Sequence, residues 1–305
     1  MSDFNEQRVS DRASYPVLQS HFERYALYGT PIVMGVLNTT PDSFSDGGKY
    51  LQIDRAVAHA DSLVQQGADI IDIGGESTRP STFNSGEPLD EEEEMRRVLP
   101  ILEAIACKHP TLPISIDTYK AQTAKRALQS GAVMVNDVSA MRADPRMADE
   151  VRSAEAFVCL MHMPGLPSRL PQSPHYGDVV MEVYEHLVER AGYAEQCGIP
   201  PSRICIDPGI GFGKSVKENL QIINQIDRFA ASPWPVLVGP SRKSFLGAIL
   251  GGMPPQDRLE ATLAAVSICV INGAAVVRVH DVAAARRAAL VAAALRRAKS
   301  DDMQG

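Results

Sequence analysis

From Pro31 onward, short runs of apolar and β-branched residues alternate with longer stretches of helical periodicity, and the alternation repeats eight times. The short runs cover 32–37, 69–73, 114–116, 133–135, 157–161, 204–206, 236–238 and 276–279. They are apolar throughout, as parallel strands buried on both faces must be. Between them, 54–66 carries apolar residues at 56, 57, 60, 63 and 64 and stops at Gly67, a favoured helix C-terminal residue. The stretches 90–107, 119–130 and 282–298 also read as helices. The run DEEEE at 90–94 suits a helix N-terminus facing solvent, where negative charge meets the dipole. Eight strand–helix units predict an α/β fold of the (β/α)8 TIM-barrel type, a single domain over 31–298. A doubly wound open sheet shares the same alternation and stays as the alternative. Residues 1–30 form an N-terminal extension and 299–305 a tail. Within the extension, FERYAL is read either as a short helix under the barrel or as part of a disordered leader.

Composition closes off several classes of function. A net charge of −7 gives no basic footprint for nucleic acid. No run reaches the ~18 apolar residues of a membrane span, and the first residues are polar. The expectation is a soluble, cytoplasmic protein without a membrane partner. The five cysteines are scattered, without a C-x-x-C pair, and read as mostly buried thiols of a reducing compartment.

In a barrel of this kind the chemistry gathers where strands end. Strands three, four and six end at Asp117, Asn136 and Asp207. A carboxylate, an amide and a second carboxylate suit a flat heterocycle bearing ring N–H donors. Left without a polar ligand, they would be costly to bury. Strands seven and eight offer Gly239, Ser241, Arg242, Lys243, Arg278 and His280, cations and hydroxyl at the usual anion position of such barrels. Capping or solvation is enough to account for Asp72 and Asp281. The segment GIGFGKS lacks the first glycine of a nucleotide P-loop, because Pro208 stands there. Its glycines are read as allowing close backbone approach to a ligand. The long loops 38–53 and 74–89, rich in Gly, Ser, Thr and Pro, are read as lids over the mouth.

LNTTPDSFSDGG, DIIDIGGESTRP, ISIDTYK, VNDVS, LMHMPG, DPGIGFGK, GPSRKSF and VRVHDV occur in that order. Together they resemble the blocks of bacterial dihydropteroate synthases, from Pro31 to the last helix. The resemblance implies a homodimeric barrel that joins a pterin diphosphate to p-aminobenzoate with Mg²⁺ as cofactor. It implies that Asp117, Asn136 and Asp207 hold the pterin, lined by Met161 and Phe212 and reached by Lys243. It places Asn38, Arg278 and His280 at the diphosphate or its metal, with Asn38 as the metal ligand. Ser241 and Arg242 fall where p-aminobenzoate binds. Asp42 and Phe44 match the first loop, and Thr78 and Arg79 the second. Asp42, Arg79, Asp117, Asp207, Lys243 and Arg278 are the expected catalytic set. Three departures stand out: LNTTPDS for LNVTPDS, DTYK for DTSK, and a longer lead before Pro31. The ordinary look of the loops points to a sulfonamide-sensitive enzyme. A pterin-dependent methyltransferase shares the barrel and the pterin carboxylates but has no need of the basic cluster on strands seven and eight. A non-catalytic pterin-binding protein is the remaining alternative, against which the intact polar set speaks.

Overall fold

The structure, a computed structural model, describes residues 9–39, 49–76, 89–165 and 175–299. Along the chain, α1 (Ser14–Tyr28), β1 (Ile32–Asn38), α2 (Lys49–Gln65), β2 (Ile70–Gly74), α3 (Glu91–Lys108), β3 (Ile114–Asp117), α4 (Ala121–Ser130) and β4 (Met134–Asp137) come first. Then follow α5 (Met147–Ser153), β5 (Phe157–Met161), α6 (Val179–Gln196), β6 (Ile204–Asp207), α7 (Val216–Asn224) and α8 (Ile226–Ala230). The chain closes with β7 (Leu237–Val238), α9 (Ser244–Ile249), α10 (Leu259–Ile271), β8 (Val276–Val279) and α11 (Val282–Lys299).

All strand pairs are parallel, in the order β6-β5-β4-β3-β2-β1-β8-β7. The seam between β6 and β7 is closed by a bridge between Ile206 and Val236, with Ile206 N–H donating to Pro235 O at 3.0 Å. That closure makes the sheet a barrel and rules out the open doubly wound arrangement. Ile70, Ile71 and Ile73 of β2 are all fully buried. Consecutive residues face opposite sides of a strand, so both faces are covered, as the unbroken apolar runs required. Each such side chain contributes roughly 1.5–3 kcal/mol by leaving water.

Helix starts follow their caps. Asp90 accepts from the N–H groups of Glu92 and Glu93, which fixes the start of α3 one residue inside the expected span. The acidic run is not uniformly solvated, however. Glu94 is 1% exposed, and its Oε2 accepts from Thr118, Thr123 and Lys120. Helix α4 begins at Ala121, two residues later than expected, because Thr118 and Lys120 make that turn: Lys120 N–H donates to Thr118 Oγ1. Helix α2 begins at Lys49, inside the stretch expected to be loop.

The extension contains a helix, α1, longer than FERYAL alone, and it lies under the barrel. Phe22 stacks on Phe157, the first residue of β5, and Tyr15 meets the same ring at a tilt. Tyr25 O–H donates to Gly273 O, and Arg12 reaches Ala132 O; both acceptors lie just before strands begin. These contacts place α1 across the N-terminal end of the barrel, opposite the strand ends that carry the polar set.

Candidate active site

Register brings the polar strand ends into one layer. Asp117 pairs with Asn136, Met161 with Asp207, and Val36 with Asp72. One cavity at the C-terminal end is lined by Asp117, Asn136, Met161, Asp207, Phe212, Gly239, Lys243 and Arg278, all expected from the sequence. Val138 and Ile210 line it too, and sequence reasoning missed them. Both lie just past strand ends, which is the signal that could have found them.

Met161 and Phe212 pack with Val138 and Met163 into a small apolar cluster, with Tyr119 against it. Lys243 Nζ sits 3.8 Å from the centre of the Phe212 ring, a cation–π contact that fixes both. The wall is thus flat and apolar, and the polar groups face it from the strands. Such a slot accepts a planar ring and reads its edge.

Burial sets the charge state of that edge. It pushes Asp117 up to about 7; Arg278 opposes the rise, while Asp72 and Glu94 add to it. Burial pushes Asp207 up to about 6, opposed by the hydrogen bond from Gly209 N–H and by the Lys243, Lys214 and Arg278 charges. Burial thus works against ionisation of both carboxylates, so the pair is less readily charged than two ordinary carboxylates.

Asp72 is neither a cap nor solvated. It is fully buried, and its Oδ2 accepts from Arg278 Nε at 2.6 Å and from Asn136 Nδ2 at 3.2 Å. Arg278 also donates to Asp117 Oδ2 at 2.7 Å. The expected role of Arg278 in the anion half is therefore incomplete, because its guanidinium spans the two interior carboxylates. Asn136 Oδ1, buried, has no protein partner among the described residues.

Ser241, Arg242 and His280 do not line this cavity and form a neighbouring cluster. Ser241 Oγ lies 3.0 Å from His280 Nδ1 and accepts from His280 N–H. Burial first, then the Arg278, Arg242 and Lys243 charges, push His280 down to about 3, so it is neutral and offers hydrogen bonds without charge. Arg242 makes a two-pronged pair with Asp281 at 3.0 and 2.6 Å, and that pair accounts for Asp281 in place of a capping role. Arg242 holds a left-handed backbone, φ 58°, pinned by its N–H on Thr262 Oγ1 and by Arg258 on its carbonyl. A non-glycine residue held there is a cost that functional loops often carry.

The glycines after β6 answer to the chain itself. A Cβ on Gly209 (φ +67°) would stand 2.0 Å from His162 O, and one on Gly211 (φ +84°) 2.7 Å from the Lys243 stem. The loop packs against its neighbours, and Lys214 Nζ ties it down on Gly209 O, Phe212 O and His162 Nδ1. Asp42, Phe44, Thr78 and Arg79 lie outside the described residues, as does most of both loops expected to act as lids.

Asn38 ends β1 beside Gly74. Its carboxamide oxygen is a hard donor of the kind Mg²⁺ accepts. Among the described residues no group of three or more His, Cys, Asp or Glu converges to form a cage. No helix among the described residues is long and apolar enough to cross a membrane.

Barrel, planar slot and adjoining cations define a pterin-binding type of α/β-barrel enzyme, and the family model described as pterin binding enzyme matches residues 34–280. The dihydropteroate synthase of Bacillus subtilis (strain 168) is 43% identical over 251 residues, 82% of this chain and 84% of that protein. The structure of the Xanthomonas albilineans dihydropteroate synthase with 4-aminobenzoic acid matches at TM-score 0.80 and 44% identity, covering 87% of this chain and 93% of that one. That of the Burkholderia cenocepacia enzyme complexed with 7,8-dihydropteroate matches at TM-score 0.78 and 42% identity, over 88% and 93%. The chain belongs to the pterin-binding enzyme family and, within it, to the dihydropteroate synthases.

Proposed function

We propose that this chain joins the amine of p-aminobenzoate to the methylene carbon of 6-hydroxymethyl-7,8-dihydropterin diphosphate, releasing pyrophosphate and 7,8-dihydropteroate. The observation that carries the reading is the cavity where Asp117, Asn136 and Asp207 face the Met161–Phe212 wall beside Lys243 and Arg278. Relatives with 42–44% identity hold 4-aminobenzoic acid or 7,8-dihydropteroate, the second substrate and the product of this reaction.

The C–O bond to the diphosphate breaks first, and its electron pair leaves with pyrophosphate. The methylene carbon is left electron-poor and conjugated with the ring. Asp207, ionised near neutrality, and the partly ionised Asp117 favour that positive charge. The cations Lys243 and Arg278 favour the departing negative charge. The amine nitrogen then forms the C–N bond and gives a proton to solvent. An aromatic amine is neutral near pH 7, so no general base is required. When bound, Mg²⁺ would neutralise diphosphate oxygens, and Asn38 is the residue that would hold it. Arg242 and Ser241 receive the p-aminobenzoate carboxylate, with Arg242 exchanging part of its pairing to Asp281.

Pyrophosphate release with both substrates and Mg²⁺ is the expected result. Pterin binding without release, in a well-folded sample, would reject the enzyme in favour of a binding protein, and methyl transfer would favour the methyltransferase.

We also propose a homodimer. Ile268 on α10 and Leu290, Val291 and Leu295 on α11 are apolar and 41–62% exposed, an unpaired surface on adjacent helices. A sedimentation mass of one chain at micromolar concentration would reject it.

A further inference from the structure

We propose that Asp72 is a positioning residue that sets which end of the Asn136 amide faces the ligand. The inference rests on the reading of the cavity as the pterin pocket. A carboxamide carries two donors on nitrogen and an acceptor on oxygen, so its orientation decides what it recognises. Asn136 Nδ2 is committed to Asp72 Oδ2 at 3.2 Å. That turns Oδ1, buried and without a protein partner among the described residues, to the ligand, beside the second Nδ2 hydrogen. Asn136 is 4% exposed and lines the cavity, so a ligand that offers no donor there leaves the acceptor stranded.

Asp72 is itself held. It is fully buried on β2, and Arg278 Nε from β8 donates to the same Oδ2 at 2.6 Å. A carboxylate cannot donate when ionised, so it forces the amide to turn its nitrogen inward. A buried ion pair is weak support for stability as such, and a role in fixing specificity is the better account of why this one is present. The consequence concerns substrate choice: the ring atom that meets Oδ1 must bear an N–H, and a lone pair at that point is disfavoured.

The test is calorimetry with dihydropterin alcohol on the full chain, comparing wild type, Asp72→Ala, Asn136→Ala and the double variant. Asp72→Ala removes the one oxygen on which both Asn136 Nδ2 and Arg278 Nε rest and so releases the amide. The expected loss of affinity is about tenfold alone and at least about threefold smaller in the Asn136→Ala background, as residues acting through one another require. The p-aminobenzoate KM should move by less than about twofold, and Asp72→Ala should narrow the preference for the alcohol over an analogue whose ring N–H is replaced by an acceptor nitrogen. Equal losses in both backgrounds, or an unchanged preference, would overturn the assignment. If Asn136→Ala itself leaves pterin affinity intact, the pocket reading fails, and the inference with it. Asp72→Ser, which leaves room for a water, takes the place of Asp72→Ala if the latter does not fold.

Discussion

The two halves of the barrel mouth are built on opposite terms. On the β2–β6 side the polar groups are buried, with Asp117 and Asp207 raised in pKa, and among the described residues Asn136 Oδ1 and Asp72 Oδ1 have no partner. On the β7–β8 side the groups satisfy one another, with Ser241 on His280 and Arg242 on Asp281. An unsatisfied buried site is already paid for in folding free energy and gains most when its ligand arrives. A self-satisfied site must exchange partners, so it binds by substitution and with less net gain. The difference leaves the pterin half with more to gain from a polar ligand than the half around Arg242. Arg278 joins the halves, since it comes from β8 yet binds the carboxylates of β2 and β3.

The largest expected effect comes from breaking that join. Arg278→Ala strands Asp72 in the interior, which should cost roughly 3–5 kcal/mol of stability. It should also slow turnover on the order of a hundredfold or more, as loss of a preorganised charge partner does. Because Arg278 rests on Asp117, dihydropterin alcohol should bind more weakly as well. Unchanged alcohol affinity, measured by calorimetry on folded protein, would return Arg278 wholly to the anion half.

Next in size is Asp207→Asn. It keeps the shape but replaces an acceptor oxygen facing ring donors, for an expected loss of about 2–3 kcal/mol in pterin binding. The p-aminobenzoate side should be almost untouched. A loss shared equally between the two substrates would mean that the halves are not separate.

Much of this was legible in the sequence, and what was not has a common cause. The strand ends Asp117, Asn136 and Asp207 could be named because the barrel rule assigns a place to any polar residue that follows an apolar run. The start at Asp90 could be named because a cap acts on its own next turn. Asp72 could not, because its partners Arg278 and Asn136 lie 206 and 64 residues away. The same holds for Glu94, whose burial depends on Lys120 and Thr123. His280 read as a cation by type, but desolvation among neighbouring cations makes it neutral. Burial and neighbours far away in the sequence decide all three.

A smaller effect is expected at Arg242. On its proposed role at the p-aminobenzoate carboxylate, replacing it with alanine should remove one charged hydrogen-bonding partner, about 1.5 kcal/mol or roughly tenfold in KM. Pterin alcohol affinity should stay within about twofold, because Arg242 does not line the pterin cavity. Steady-state kinetics with each substrate varied in turn gives both numbers, and a matching rise in the pterin diphosphate KM would count against the division.

The gentlest probe is pH, and it separates the halves without a mutation. Asp117 is pushed up to about 7 and Asp207 to about 6. A raised carboxylate is neutral below its pKa and ionised above it, and only the ionised form accepts from every ring donor it faces. Pterin alcohol affinity should therefore fall as pH drops through 7 and then 6, about tenfold for each proton that must be removed per pH unit below both values. His280 is pushed down to about 3 and stays neutral across this window, so the β7–β8 cluster should not titrate with it. Binding of p-aminobenzoate to the enzyme already holding pterin and pyrophosphate should be flat between about pH 5.5 and 8. Calorimetry across that range reads both curves. A pterin curve as flat as the other would mean that the carboxylates meet the ring without bearing charge, and the contrast between the two halves would rest on geometry alone.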